Sequence, residues 1–169
     1  SVVTHGWAPP AAGPDVPALA HLAPALTAPG AHPLARTLAP IARVLPWTRN
    51  EHKDKSPALL AGQTYCEVVG PDGALRHDRC RVGLYLQAPG LHYPAHSHAA
   101  VELYFVVAGD PVWWQAGKPE FEPRPGALIH HASFQSHAMT TQALPLLSLW
   151  TWTGDISFAS YRMDPGRDG

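Results

Sequence analysis

The chain has 169 residues, 46% hydrophobic and only 15% charged, which suffices for one domain with a buried core and excludes a disordered chain. Its formal net charge of -1 gives no reason to expect nucleic acid or an anionic membrane as partner. No run approaches the roughly 18 apolar residues that span a bilayer, and the amino terminus lacks the basic and apolar regions of a signal peptide, so a cytoplasmic location is expected.

Residues 1–60 read as a distinct segment rich in Ala, Pro and Leu. Prolines at 9, 10, 14, 17, 24, 29, 33, 40 and 46 forbid a long helix, because each removes a donor and tends to end a helix it enters. Short helices fit between them. One is capped by Asp15, with Pro17 in its first turn, and runs to about Thr27. A second runs from about His32 to Val44, with Leu34, Leu38, Ile41 and Leu45 at helical spacing and a kink at Pro40. The segment is expected to pack as a helical flap on the main domain, 61–169. Residues 49–57, RNEHKDKSP, read as a charged loop.

From Ala61 the pattern turns to strands. TYCEVV and ALRHDRC flank a Pro-Asp-Gly turn, which predicts a hairpin. RVGLYLQ follows, then HYPAHSH, VELYFVVAG, PVWWQAG, PEFEP, GALIH, HAMTTQ, PLLSLWTWTG and ISFASYRM. Many short strands separated by Gly and Pro turns argue for an all-β antiparallel sandwich or barrel whose interior holds one ligand. Cys66 and Cys80 sit in no metal-binding spacing and read as free thiols on neighbouring strands.

The stretch from Gly90 to Gly109 organises the rest. His96 and His98 alternate, so on a strand both imidazoles point the same way. Glu102 follows, and on the next strand Glu102, Tyr104 and Val106 share one face. A short turn at Ala99 and Ala100 would aim two imidazoles, a carboxylate and a phenol at one point. Nitrogen and oxygen donors without thiolate suit one divalent first-row ion such as zinc, iron, manganese, cobalt or nickel. A phenol beside such a cation ionises more readily, so Tyr104 could serve as ligand or general base. Trp150 and Trp152 share a face, whereas Trp113 and Trp114 point oppositely. An inward tryptophan would hold a sulfonium or ammonium group on its ring face, worth roughly 0.5–2 kcal/mol.

The spacing G-x5-H-x-H-x3-E-x6-G resembles the first motif of the cupin family. That resemblance implies a small jelly-roll β-barrel, here preceded by the helical segment, and a further histidine on a later strand. Pro125-Gly126 followed by His137 resembles the second cupin motif, so His137 is the expected fourth ligand after His96, His98 and Glu102. His130 and His131, at places often held by prolines, are the fallback, and Thr141 stands where an asparagine is common. Cupins often pair through their sheets, so a homodimer is one state open to the chain.

The run YPAHSHAAVELYFVVAGDPVWW, Tyr93 to Trp114, is more specifically similar to the bacterial cupin-type dimethylsulfoniopropionate (DMSP) lyases. The resemblance implies a carbon–sulfur lyase that splits a small zwitterionic sulfonium carboxylate into dimethyl sulfide and acrylate, with no organic cofactor. It implies that Tyr104 removes the proton beside the carboxylate and that Tyr93 orients substrate. Trp152 would line the pocket near the sulfonium, with Trp150 and Trp113 as further candidate walls. Two other readings use the same residues: an iron-dependent cupin dioxygenase acting on a small thiol or aromatic, and a non-catalytic cupin that binds a small ligand.

Overall fold

The computed structural model describes residues 3–4, 16–49 and 51–164. In chain order the strands are β1 (Val3–Thr4), β2 (Gln63–Gly70), β3 (Leu75–Arg76), β4 (Cys80–Gln87), β5 (His92–Ser97), β6 (Val101–Ala108), β7 (Val112–Gln115), β8 (Leu128–His131), β9 (His137–Thr140), β10 (Leu146–Thr153) and β11 (Arg162–Met163). They form a seven-stranded sheet, β1-β3-β2-β4-β10-β6-β8, facing a four-stranded sheet, β11-β5-β9-β7. The class is all-β and the plan is a jelly roll, as expected. The strands stay in two sheets, however, and do not close into one continuous barrel.

Period-two alternation decides the layering. On β4, Leu84 and Leu86 point outward while Tyr85 points inward; on β6, Phe105 and Val107 point outward while Tyr104 and Val106 point inward. The outward set is covered by two short helices, α1 (Leu22–Leu26) and α2 (Leu34–Ala42), whereas a third, α3 (Pro57–Gly62), packs its buried Leu59 into the inward set. Leu22, Ala25, Ala35, Ala42 and Trp47 join Cys66, Leu84, Leu86, Val107 and Leu147 in one apolar cluster. The inward set forms a second, aromatic cluster between the sheets.

Register across the larger sheet aligns side chains in rows. Arg81, Trp152, Glu102 and His131 stand opposite one another on β4, β10, β6 and β8. The next inward row is Gly83, Trp150, Tyr104 and Ile129. Glycine is required at 83, because an added Cβ would overlap the Cys66 carbonyl oxygen and lie 2.9 Å from the Trp150 indole nitrogen.

Several expectations change in detail. The first helix is a 3-10 turn over Pro17–His21 running into α1, and the Asp15 cap lies outside the described residues. The second helix contains Pro40 as expected but spans only Leu34–Ala42. The Pro-Asp-Gly turn joins β2 not to its antiparallel partner β4 but to β3, which runs parallel to the end of β2; Asp72 N–H bonds the Glu67 carboxylate at 2.8 Å and holds that loop. The last predicted strand is interrupted by a 3-10 turn at Phe158–Ser160, which the Ser157 hydroxyl caps by accepting from Ala159 N–H at 3.2 Å, and only β11 remains of it. Cys66 and Cys80 are free thiols. Among the described residues no helix is long and apolar enough to cross a membrane.

Candidate metal centre and cavity

His98, Glu102 and His137 come together in the interior, each buried, with ligand atoms all within 4.8 Å of one another. They arrive from different places. Glu102 sits on β6 of the larger sheet, His137 on β9 of the smaller one, and His98 at the corner between β5 and β6. The short turn expected at Ala99 and Ala100 therefore carries the chain from one sheet to the other. The corner is held by Phe134 N–H bonding the His98 carbonyl at 2.8 Å and by Ala99 N–H bonding the Ser160 hydroxyl at 3.0 Å.

The imidazole tautomers follow from their outer partners. His98 Nδ1 faces the Ala100 carbonyl at 3.1 Å, and His137 Nδ1 faces the Gln135 carbonyl at 2.9 Å. Carbonyls only accept, so each Nδ1 carries the proton and each Nε2 keeps a lone pair. Both Nε2 atoms stand 3.3 Å from Glu102 Oε2. His137 Nε2 is off the hydrogen-bonding line and is a buried nitrogen with no hydrogen-bond partner. Two lone pairs and a carboxylate converging without a proton between them fit a cation, and a nitrogen and oxygen donor set suits a first-row divalent ion.

Glu102 is gripped from outside as well. Trp152 Nε1–H donates to Oε1 at 2.7 Å, and His131 Nδ1 lies 2.8 Å from Oε2. Trp113 Nε1–H donates to His131 Nε2 at 3.0 Å, so His131 must carry its proton on Nδ1 and donate it to Glu102. Burial would raise the Glu102 carboxyl, but the hydrogen bond donated by His131 holds it well below the ordinary carboxylate range. Burial pushes His131 itself down to about 3.

His96 stands beside the trio and not within it. Its Nδ1 faces the Pro94 carbonyl at 2.8 Å, and its ring stacks on Tyr93 at 4.0 Å and meets His137 edge-on at 4.2 Å. His131, held in reserve as a ligand, is fully buried behind Glu102, while its neighbour His130 is exposed. Strand alternation explains the split, since Ile129 and His131 of β8 share the inner face.

A cavity opens beside this cluster, lined by His96, His98, Glu102 and eight aromatic residues. Tyr104 and Tyr93 are both in that lining, as are Trp150 and Trp152. Trp113 is not. It is fully buried behind the site, against Tyr104 and His131. Tyr65 and Phe158, which sequence reasoning missed, complete a circle of rings. The successive centroid distances are 5.9 Å for Tyr65–Trp150, 5.9 Å for Trp150–Trp152, 4.9 Å for Trp152–Phe158 and 6.1 Å for Phe158–Tyr65. The Arg81 guanidinium sits 4.4 Å from the Phe158 ring centroid and bonds the Ile156 carbonyl at 3.0 Å, so it tethers the segment carrying that wall. Burial and the Glu102 carboxylate hold the Tyr104 phenol well above its usual value. A cation at the trio would act in the opposite sense.

The DMSP lyase family model matches residues 9–148. The DMSP lyase DddQ of Ruegeria pomeroyi is 34% identical over 95 residues, 56% of this chain and 47% of that protein. The chain spans about half the length of the curated relatives it matches. The crystal structure of DddQ from the same organism superposes with a TM-score of 0.82 at 23% identity, covering 100% of this chain and 84% of that one. A cupin 2 conserved barrel domain protein from Rhodopseudomonas palustris superposes with a TM-score of 0.56 at 11% identity over 70% of this chain and 77% of its own, which places the fold among the cupins.

Proposed function

This chain belongs to the DMSP lyase family, and we propose that it cleaves DMSP to dimethyl sulfide and acrylate by β-elimination, with a divalent metal ion at His98, Glu102 and His137. His96, the other ligand expected from sequence, lies alongside. When bound, the ion would withdraw electrons from the substrate carboxylate and make the adjacent C–H more acidic. The observation that carries the reading is one cavity lined by Tyr104, by the His98–Glu102 pair and by the circle of aromatic rings.

Tyr104 is the general base of this reading. It lies one alternation beyond Glu102 and takes the proton from the carbon next to the carboxylate. The C–S bond breaks as that C–H bond electron pair becomes the new double bond. Dimethyl sulfide leaves neutral, so no general acid is needed. The ring faces of Trp152 and Trp150, with Tyr65 and Phe158, hold the sulfonium, and Tyr93 orients the substrate from another wall. Aromatic walls suit this task, since a further acidic side chain there would compete for the metal; the carboxylate in the lining, Glu102, is itself a proposed ligand.

The test is headspace analysis for dimethyl sulfide from metal-loaded protein and DMSP under nitrogen. Release without oxygen supports the lyase. No release with any first-row divalent metal overturns it, and oxygen consumption with a thiol or small aromatic would favour the dioxygenase reading.

A further inference from the structure

Lys55 belongs to the charged stretch read from sequence as a loop, yet it is only 6% exposed. Among the described residues no carboxylate lies within ion-pair distance of it. Its Nζ instead donates to the Tyr93 hydroxyl at 3.1 Å and sits 4.5 Å from that ring's centroid and 5.4 Å from that of Tyr161. The backbone on either side is fixed. Lys55 N–H bonds the His52 carbonyl at 3.0 Å, and Ser56 caps α3 through Leu59 N–H at 3.2 Å. Burial pushes the Lys55 amine down to about 7.

The hydroxyls beyond it form a chain with one direction. Tyr161 O–H donates to Met163 Sδ at 3.1 Å, which uses its only hydrogen. The 2.8 Å contact between the Tyr161 and Tyr93 oxygens could by itself run either way; with Lys55 donating into Tyr93 and the Tyr161 hydrogen on Met163, Tyr93 is its donor. Tyr93 has no second hydrogen, and Lys55 supplies the donor on its other side. Ammonium and neutral amine both carry N–H groups, so this donation holds in either protonation state. What the Tyr93 oxygen offers the cavity is a lone pair and not an O–H.

We propose that Lys55 is a positioning residue that fixes the direction of the Lys55–Tyr93–Tyr161–Met163 chain and so presents Tyr93 to the cavity as a hydrogen-bond acceptor. The consequence for turnover rests on the lyase reading; the geometry does not. An acceptor oxygen repels a carboxylate and attracts the positively polarised C–H groups next to a sulfonium. Lys55 thereby sets which way round a zwitterionic substrate lies. Without it, Tyr161 can donate to Tyr93, and Tyr93 can turn its own O–H toward the substrate carboxylate and hold the substrate unproductively.

The experiment uses the full, metal-loaded chain as wild type, Lys55→Met, Lys55→Arg, Tyr93→Phe and the Lys55→Met/Tyr93→Phe double variant. The first readout is the nuclear magnetic resonance signal of Tyr93 Cζ in protein isotopically labelled at that carbon, assigned by its loss in Tyr93→Phe. It should move in Lys55→Met and return toward the wild-type position in Lys55→Arg. The second readout is steady-state release of dimethyl sulfide. Lys55→Met should lose about tenfold in kcat with KM unchanged or lower, Lys55→Arg should recover most of that, and the double variant should be no slower than Tyr93→Phe. An unmoved Cζ signal in Lys55→Met, or an equal loss on adding Lys55→Met to Tyr93→Phe, overturns the proposal. If wild type releases no dimethyl sulfide, the lyase reading falls, and the Cζ signal alone decides whether Lys55 directs Tyr93.

Discussion

Replacing Lys55 with Met should make the protein more stable at neutral pH. Lysine and methionine have similar length, and the apolar side chain needs no partner in a site where the amine finds one phenol hydroxyl and two ring faces but no carboxylate. The amine falls from about 10.4 in the unfolded chain to about 7 in this structure, and a gap of that size caps the cost of burying it at about 4 kcal/mol at neutral pH. Losing the hydrogen bond to Tyr93 takes back about 1 kcal/mol, which leaves a net gain of about 2–3 kcal/mol. For a chain of this size that is roughly 5–10 °C in melting temperature. The sign with pH follows from proton binding. Between about pH 7 and pH 10.4 the unfolded chain holds a proton that the folded chain has released, so wild-type stability rises with pH across that window. The advantage of Lys55→Met should therefore be largest near neutrality and shrink toward about pH 10. Denaturant titrations of both proteins at the two ends of the window measure it. A variant less stable than wild type at neutral pH, or a difference that does not change with pH, would refute the reasoning.

Tyr104→Phe should lower dimethyl sulfide release by at least about 100-fold with bound metal unchanged by elemental analysis. His131→Phe removes the 2.8 Å donor behind Glu102 and should weaken metal binding by about tenfold to 100-fold, read by competition with a chromogenic chelator. Gly83→Ala forces a Cβ against the Cys66 carbonyl and the Trp150 indole, and should cost more than about 3 kcal/mol in a denaturant titration.

The sheet-facing half of this architecture was legible because period-two alternation is a local signal. It put Glu102 and Tyr104 on one face of a strand, and the structure has both lining one cavity. The same rule applied to LIHH would have separated buried His131 from exposed His130, but proximity to a loop motif obscured it. What alternation cannot say is which sheet a strand joins. The short turn between β5 and β6 gives no sign in sequence that the chain crosses between sheets there. Nor does it say what lies behind a face, so Trp113 and the cavity tryptophans look alike until His131 is seen to take the Trp113 N–H. Lys55 was hidden for another reason. A run of charges reads as solvated, and only the tertiary placement of Tyr93 and Tyr161 draws one of them inside.

The transverse rows across β4, β10, β6 and β8 bear on how such a pocket could change over time. Arg81, Trp152, Glu102 and His131 owe their alignment to three seams of backbone pairing and not to neighbours in the chain. Sliding any one seam by a single step would turn a whole strand's inward residues to the outside. Point substitutions can therefore retune this pocket one side chain at a time, but a one-residue insertion within any of these four strands dismantles it at once. Variation in length among its kin should accordingly gather in the turns, and the spacing from Glu102 to Tyr104 and from Trp150 to Trp152 should stay fixed.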